Sequence, residues 1–377
     1  MSGSAPFYLG ILTDRARLGN GGPWPEHAYP HLFSICPEGV RLFLFRPADI
    51  DWSRGAAGGW TAEPAPSVDA LRWRRGTFPL PHAVYNRISR RRTEGSRACQ
   101  RLFERLSRRA PLFNPGFLGK CEVHQWLSSS PASRFLPATL AYEGPPSLFE
   151  AVRRFGAAVV KPDRGSLGRR IACVEPRGRR FLVRFNADRG TTERLLLSAT
   201  ELAEFARRWY PPGSALVQER VPLLLWKGRP FDLRALLQRL PGGVWSLTGA
   251  AGRRAPEGGV TTHTLRGGER VPLAQLQAGL GHLIPRRDQL EAALAECAQA
   301  IETARGARFF EFSFDVGLTA EGRLCVFEAN AKPFPFDEED VRTAAAARLF
   351  AFARAAAEEG LAAWGAGDAL VAHGRGA

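Results

Sequence analysis

Apolar residues recur along this chain in two rhythms. Short apolar and aromatic runs at 7–13, 40–45 and 83–88 are separated by Gly/Pro-rich stretches such as 19–25 and 55–66, which predicts strands. Arg97, Arg101, Arg105 and Arg108 then share one stripe at three- and four-residue spacing, which predicts a basic helix. Residues 111–145 read as a connector with a helix over about 120–128. From Leu148 the pattern is helix to Phe155, then strand, glycine loop and strand, a small α/β unit that runs to about 210. Strands dominate 215–247, a helix is predicted over 273–304 and a long hairpin over 309–331, and an Ala-rich helix closes the chain at about 340–363 before a frayed tail. The fold class this predicts is α/β, assembled from α+β subdomains. An N-terminal α/β domain spans 1–110. A second domain spans 111–345, with a small lid at 148–214 and a larger part at 215–345, and 346–377 hold the closing helix and tail.

Composition adds bounds. The chain has 377 residues, 45% hydrophobic and 24% charged, which is ordinary globular composition and long enough for two or three domains. No uncharged apolar run approaches the roughly 18 residues of a membrane span, and residues 221–226 are among the longest. The first residues lack a basic flank followed by an apolar stretch, so the expected location is cytoplasmic. Cys36, Cys99, Cys121, Cys173, Cys297 and Cys325 form no Cys-x-x-Cys pair, which excludes a zinc ribbon or small disulfide scaffold. The formal charge is +15, yet only Lys120, Lys161, Lys227 and Lys332 are lysines. In a chain that writes Arg almost everywhere, a retained Lys marks a place that needs a compact, flexible ammonium.

The hairpin carries the most chemistry. With Glu321-Gly322 as a two-residue loop, Asp315 faces Glu328, Ser313 faces Asn330 and Glu311 faces Lys332, and all six share one face of the ribbon. Phe310, Phe312, Phe314, Val316, Leu318, Cys325, Phe327, Ala329 and Ala331 then form the core face. Carboxylates directly opposite each other repel unless a cation lies between them. The oxygens of Asp315, Glu328 and Asn330 suit a hard ion such as Mg²⁺, which commonly shares phosphate ligands. The alternative is a solvated strand face.

A Mg²⁺ site with few protein oxygens directs attention to phosphate cradles. There is no Gly-x-x-x-x-Gly-Lys-Ser/Thr and no Gly-x-Gly-x-x-Gly. Instead a strand ends at Lys161-Pro162, a loop with Gly165, Ser166 and Gly168 follows, and a second strand begins. Such a loop can lay backbone N–H groups over phosphates while the lysine adds a point charge, although any hairpin shares this outline. A third strand carries Gln218-Glu219 and leads to Asp232-x-Arg234.

In this order, Lys120, Lys161-Pro162 with its glycine loop, Gln218-Glu219, Asp232-x-Arg234, Asp315 and Glu328-x-Asn330 resemble the ATP-grasp superfamily. Leu112-Phe113-Asn114-Pro115, residues 135–139, Val160-Lys161-Pro162 and Phe231-Asp232-Leu233-Arg234 narrow this. Together with Val84-Tyr85-Asn86-Arg87 they look like the YheC/YheD family of endospore-coat-associated ATP-grasp proteins, over about 80–340. The resemblance implies an ATP-grasp fold with a pre-grasp-like N-terminal domain and a nucleotide clamped between two subdomains. Lys120 and Lys161 would touch phosphates, and the loop of Gly165, Ser166 and Gly168 would close over them. Gln218, Glu219 and Val221 would line the adenine, largely through backbone groups. Asp315, Glu328 and Asn330 would hold Mg²⁺, or Mn²⁺ in its place. Arg234, with Lys161, would serve the transferred phosphoryl group.

The implied activity is ligase-like: ATP activates a carboxylate as an acyl phosphate, which an amine then attacks. The implied partners are ATP and an unidentified carboxylate or amine substrate, with spore-coat proteins where the source sporulates. Two features depart from the family pattern, His263 where relatives often carry Asn and Phe334 where they often carry Gly, and both flank the expected acceptor side. A coat protein with a retained nucleotide site and no turnover is the alternative. Nucleic-acid binding through the Arg-rich stretch 87–109 is outweighed by a solvated basic helix.

Overall fold

The strand Phe7–Leu12 lies between two parallel neighbours, Val40–Phe45 and Ala83–Asn86, and a short parallel strand, Leu112–Phe113, extends the sheet. Antiparallel strands Ala56–Ala62 and Trp73–Pro79 widen its other side. Phe103 and Leu106 of the helix Arg97–Ser107 cover one face, and Leu349, Ala353 and Ala356 of the helix Glu339–Glu359 cover the other. Parallel strands buried on both sides read as continuous apolar runs, which is why these three were legible. These observations come from a computed structural model that describes residues 5–14, 18–19, 22–23, 29–165, 167–188 and 192–360. The expected tail and Ser166 lie outside the described residues.

A second sheet of six antiparallel strands forms the lid, in the order Thr139–Ala141, Ala215–Glu219, Ala158–Pro162, Ala172–Arg177, Arg180–Asn186, Thr192–Leu197. Helices Pro145–Phe155 and Ala199–Trp209 cover one face through Leu148, Val152, Leu202 and Ala206. The second helix starts on a reciprocal cap, in which Ser198 Oγ accepts from Glu201 N and the Glu201 carboxylate accepts from Ser198 N at 2.7 Å. By sheet membership this layer takes in 139–141 and 215–219, so it is wider than the pattern at 148–214 suggests.

The third sheet places Arg229–Arg239 between Trp245–Arg254 and Glu311–Leu318, with Leu324–Asn330 at one edge and Glu269–Pro272 at the other. Alternation sends Leu233, Ala235, Leu237, Phe312 and Phe314 to one face, against helices Lys120–Ser128 and Arg287–Arg305. The helix expected over 273–304 arrives in two pieces, because Gly281 adopts φ +54 and Pro285 follows. Among the described residues no helix is long and apolar enough to cross a membrane.

The ribbon register differs from the sequence expectation in an instructive way. Asp315 does face Glu328, and Ser313 faces Asn330. The loop, however, is closed by Gly322 N donating to Thr319 O at 3.0 Å, with Gly322 at φ +78, and Leu318 pairs Leu324. The turn is therefore one residue longer than a two-residue loop, and a bulge at Phe327 takes up the difference. Two one-residue departures cancel at the acidic pair. Phe327, expected in the core, is turned by the bulge to the polar side. Phe310 also leaves the expected face and packs on Phe113 and Phe352. Glu311 does not meet Lys332. Its carboxylate accepts from Tyr85 Oη at 2.5 Å and Gln238 Nε2 at 3.0 Å, while Lys332 is paired with the buried Glu94.

The closing helix crosses from the third sheet to the N-terminal one, and its approach is set by a glycine. A Cβ on Gly249 would lie 2.4 Å from Val341 Cγ2. Gly249→Ala is expected to destabilise the chain by about 1–3 kcal/mol through overpacking, measured as a lower midpoint in urea at unchanged slope.

Candidate functional site

One face of the third sheet is polar. Period-two alternation in Arg229–Arg239 puts Asp232, Arg234 and Gln238 on it. Pairing then sets Asp315 beside Arg234, Glu328 beside Asp315 and Arg253 beside Asp232. The Arg253 guanidinium bridges two carboxylates, with Nη2 at 2.9 Å from both Asp232 Oδ2 and Asp315 Oδ1, and Thr262 Oγ1 donates to Asp232 Oδ2 at 2.7 Å. Burial acts to raise the Asp315 carboxyl, but Arg253 and Arg234 outweigh it and hold the group below its ordinary value. Asp232 is raised by burial, with Arg253 opposing and Asp315 reinforcing.

Lys120 begins the helix Lys120–Ser128, and this N-terminus is tied to the lid loop. Lys120 N donates to Asp163 O at 3.3 Å and Cys121 N to Asp163 Oδ1 at 2.8 Å. A Cβ on Gly119 would lie 2.9 Å from that carboxylate, so the approach needs glycine. Lys120 Nζ then donates to Glu328 Oε1 at 2.9 Å and to Gly165 O at 3.0 Å. Lys161 Nζ lies 4.5 Å from the centre of the Phe327 ring. Burial pulls its ammonium down to about 8, with Glu328 opposing and Lys120 assisting. Gly168, at φ +64, sets its carbonyl to accept from Asn186 Nδ2 at 3.1 Å, and Arg266 Nη2 reaches Ala187 O at 2.6 Å. The lid loop thus rests on the segment 261–268 of the third sheet's domain.

Gln218 lines a cleft of about 380 Å³ together with Leu118, Lys120, Leu216, Phe327 and Glu328. Its Nε2 donates to Thr139 Oγ1 at 3.2 Å, while Oε1 is buried without a hydrogen-bond partner among the described residues. Such an orphan acceptor in a cleft fits a ligand that brings a donor. Glu219 is placed otherwise, because its carboxylate accepts from Ala138 N at 3.0 Å and Arg323 Nη2 at 2.6 Å and so clamps the ribbon loop to the lid. Val221 is buried just past the end of that strand. Arg234 Nη2 donates to Phe334 O at 2.9 Å, and burial lowers its guanidinium against the pull of Asp315. Burial, and then Arg253, pull the His263 imidazole below its ordinary value.

The residues fit a hard cation. Asp315 and Glu328 are adjacent across the ribbon and Asn330 lies two residues further on the same face. Among the described residues no three His, Cys, Asp or Glu side chains form a self-sufficient cage. The chemistry is that of Mg²⁺, which takes one or two carboxylates and shares its remaining positions with water and phosphate.

The structure thus brings Lys120, Gln218 and Glu328 to the wall of one cleft, with Gly165 against Lys120 and Lys161 beside Phe327, while Arg234, Asp315 and Asn330 follow along the same polar face of the sheet. Sequence reasoning missed Arg253, Asp163 and Phe327. Arg253 is one arginine among many, and nothing local marks it. Phe327 was hidden by the bulge. Asp163, two residues after Lys161, carries the cap-type signal that could have revealed it.

A lid over a glycine loop, two half-buried lysines and an acidic ribbon define an ATP-grasp fold. Solved structures share it. D-cycloserine synthetase DcsG superposes with TM-score 0.51 at 17% identity, covering 93% of this chain and 99% of that one. The D-alanine–D-alanine ligase from Coxiella burnetii gives 0.51 at 11% identity, covering 94% and 96%. At those identities the likeness is of fold. The chain belongs to the YheC/D-like ATP-grasp family, whose model matches residues 109–355. The endospore coat-associated protein YheD of Bacillus subtilis (strain 168) is 27% identical over 300 residues, 78% of this chain; the chain spans about 65% of that relative's length.

Arg253 neutralises the buried Asp232 and the half-buried Asp315, so Arg253→Gln is expected to cost about 3–5 kcal/mol at neutral pH. The Asp315 carboxyl is held low by that cation, so its contribution is present at neutral pH and lost as acid protonates it. Denaturation curves should therefore show the gap between wild type and variant narrowing as pH falls.

Proposed function

We propose that the chain is an ATP- and Mg²⁺-dependent, ligase-like enzyme that activates a carboxylate for attack by an amine. One observation carries this reading. Lys120 Nζ touches the lid loop at Gly165 and the acidic ribbon at Glu328 at once, so a single ammonium joins the two halves of a phosphate site. The apolar cleft beside it, with the unpaired Gln218 Oε1, suits a purine. Lys120, Lys161 and the loop of Gly165, Ser166 and Gly168 hold the phosphates. Glu219 and Val221 act through the main chain. Asp315, Glu328 and Asn330 would hold Mg²⁺, which when bound would neutralise phosphate charge and polarise the transferring group.

In the first step an oxygen of the substrate carboxylate attacks the γ-phosphorus and ADP leaves, giving an acyl phosphate. An amine then attacks the acyl carbon and inorganic phosphate leaves. Neither step needs a nucleophile from the protein; both need positioning and preorganised positive charge. Arg234 supplies it from beside Asp315, and Lys161 from the lid strand. In the free chain Glu328 is held by Lys120 and Asp315 by Arg253. With a polyphosphate bound, Lys120 would pair with its oxygens, and Glu328 would be left to hold the cation with Asp315 and Asn330.

The name of the Bacillus relative supports a place for this activity: in a source that sporulates, the chain associates with coat proteins. That name also favours a second reading, a coat component that binds nucleotide without turnover. ADP release on offering pooled carboxylates and amines separates the two. Release with any pool supports the ligase, and silence across all pools supports the second reading.

Calorimetry tests the site itself. Mg²⁺ is expected to tighten ATP binding to the wild type by about tenfold or more, and not to Asp315→Asn/Glu328→Gln; indifference to both metal and mutation overturns the proposal. A second expectation concerns pH. The Lys161 ammonium is charged below about 8 and neutral above it, so nucleotide affinity should fall as pH rises through that value. Lys161→Arg, whose guanidinium keeps its charge, should flatten the profile.

A further inference from the structure

A second cavity, of about 430 Å³, opens on the same polar face of the third sheet, and the site described above leaves it unassigned. Gln238 and Glu311 form its floor. They lie four residues along their strands from Arg234 and Asp315, roughly 13 Å away. The two regions share a wall. Phe334 lines the cavity while its carbonyl accepts from Arg234, and Pro333 lines it while its carbonyl accepts from Arg87 Nη2 at 2.6 Å. A molecule lying along the sheet can therefore present one end at Arg234 and the other in this cavity.

The charges lining it are uneven. Arg87 is committed, because it donates to Tyr29 Oη at 2.8 Å and lies 3.4 Å from Glu311. Arg342, on the closing helix, donates to the main-chain carbonyls of Phe336 and Asp337 at 3.0 and 3.1 Å, and no carboxylate lies within ion-pair distance of it among the described residues. His31 faces both guanidiniums. Burial first, then Arg342 and Arg87, push its imidazole down to about 4. The other polar groups are the Tyr29 ring, edge-on to His31 at 6.3 Å, and Tyr85, whose hydroxyl is engaged by Glu311. With His31 neutral, two arginines outnumber one carboxylate. The remaining walls are apolar, with Leu32, Leu236 and Leu349 inside and Phe334, 64% exposed, at the lip.

We propose that this cavity seats the acceptor through a non-reacting carboxylate against Arg342 and His31, and that the acceptor's body is apolar and preferably aromatic. The proposal rests on the ligase reading for its functional sense, but the cavity's chemistry stands apart from it. An aromatic side chain fits the apolar walls and can lie on Phe334. A carboxylate supplies the counter-charge that Arg342 lacks. The reacting end of such a molecule points along the sheet toward Arg234 and Asp315. Phe334, exposed at the lip, then acts as a selector for aromatic or bulky acceptors.

The test uses the full chain with labelled histidine, followed by NMR, and two probes that differ only in charge: N-acetyl-phenylalanine and N-acetyl-phenylalaninamide. The acid is expected to shift the His31 resonance and move its titration midpoint upward. The amide is expected to bind about tenfold or more weakly. Arg342→Gln should abolish the preference for the acid, and Arg342→Lys should keep part of it, with thermal melts confirming that both fold. Equal binding of acid and amide, an unmoved His31 at saturating acid, or wild-type acid binding by Arg342→Gln each overturns the proposal. If Arg342→Gln does not fold, the acid–amide comparison on the unaltered chain decides alone. ATP binding is measured on the same sample. Acid binding without nucleotide binding removes the ligase reading and leaves the cavity, whereas nucleotide binding without acid preference removes the cavity alone.

Discussion

Three carboxylates, Asp232, Asp315 and Glu328, crowd one face of a sheet whose other face is packed with phenylalanine and leucine, and they are tolerated there only because cations lie against them. Removing water from such groups costs several kcal/mol each unless charge and hydrogen bonds replace it. Arg253 does so for two of them and Lys120 for the third. Neither cation belongs to the acidic ribbon. Arg253 comes from a strand two places across the sheet, and Lys120 from a helix that is itself held by the lid loop through Asp163. Electrostatic balance at the site therefore requires the ribbon, the connector helix and the lid to be assembled together.

A second buried node ties this assembly to the N-terminal sheet. Glu311, at the start of the ribbon strand, gathers Tyr85 and Arg87 from the end of a parallel strand, Asn114 from the connector and Gln238 from the central strand. Lys332, just past the second ribbon strand, does the same on Glu94 and Ile88. Glu94 in turn accepts from Asn86. The Tyr85-Asn86-Arg87 and Asn114 motifs are thus joints between layers, and the polar cost of burying them is met within the network. Phe310 adds the apolar counterpart by crossing to the rings of Phe113 and Phe352.

These two nodes leave an open cleft on either side of the Arg234–Asp315 pair. One is bounded by the lid and carries Lys120; the other is bounded by the closing helix and carries Arg342. Positive charge on both sides of that pair is the arrangement expected where anionic groups meet and charge moves between them. The lid loop rests on the segment 261–268, through Arg266 on the carbonyls of Leu167 and Ala187.

The primary structure by itself determined much of this. Apolar runs announced the parallel strands, because burial on both faces leaves no polar positions. The extent of the helix Lys120–Ser128 was legible, as were the lid's strand–loop–strand pattern and the acidic alternation of the ribbon, since each is written within a dozen residues. The scarcity of lysine pointed to Lys120 and Lys161 before any coordinates. What only the tertiary structure decided is whatever depends on partners distant in the chain or on a one-residue change of phase. The bulge at Phe327 reversed one side chain and left the acidic pairing intact, which no local pattern encodes. Arg253 became the bridge between Asp232 and Asp315, and Glu311 exchanged Lys332 for Tyr85 and Gln238. The reason is physical: periodicity fixes which face a side chain takes, but the neighbour it meets there, and hence its charge state, is set by packing across the whole chain.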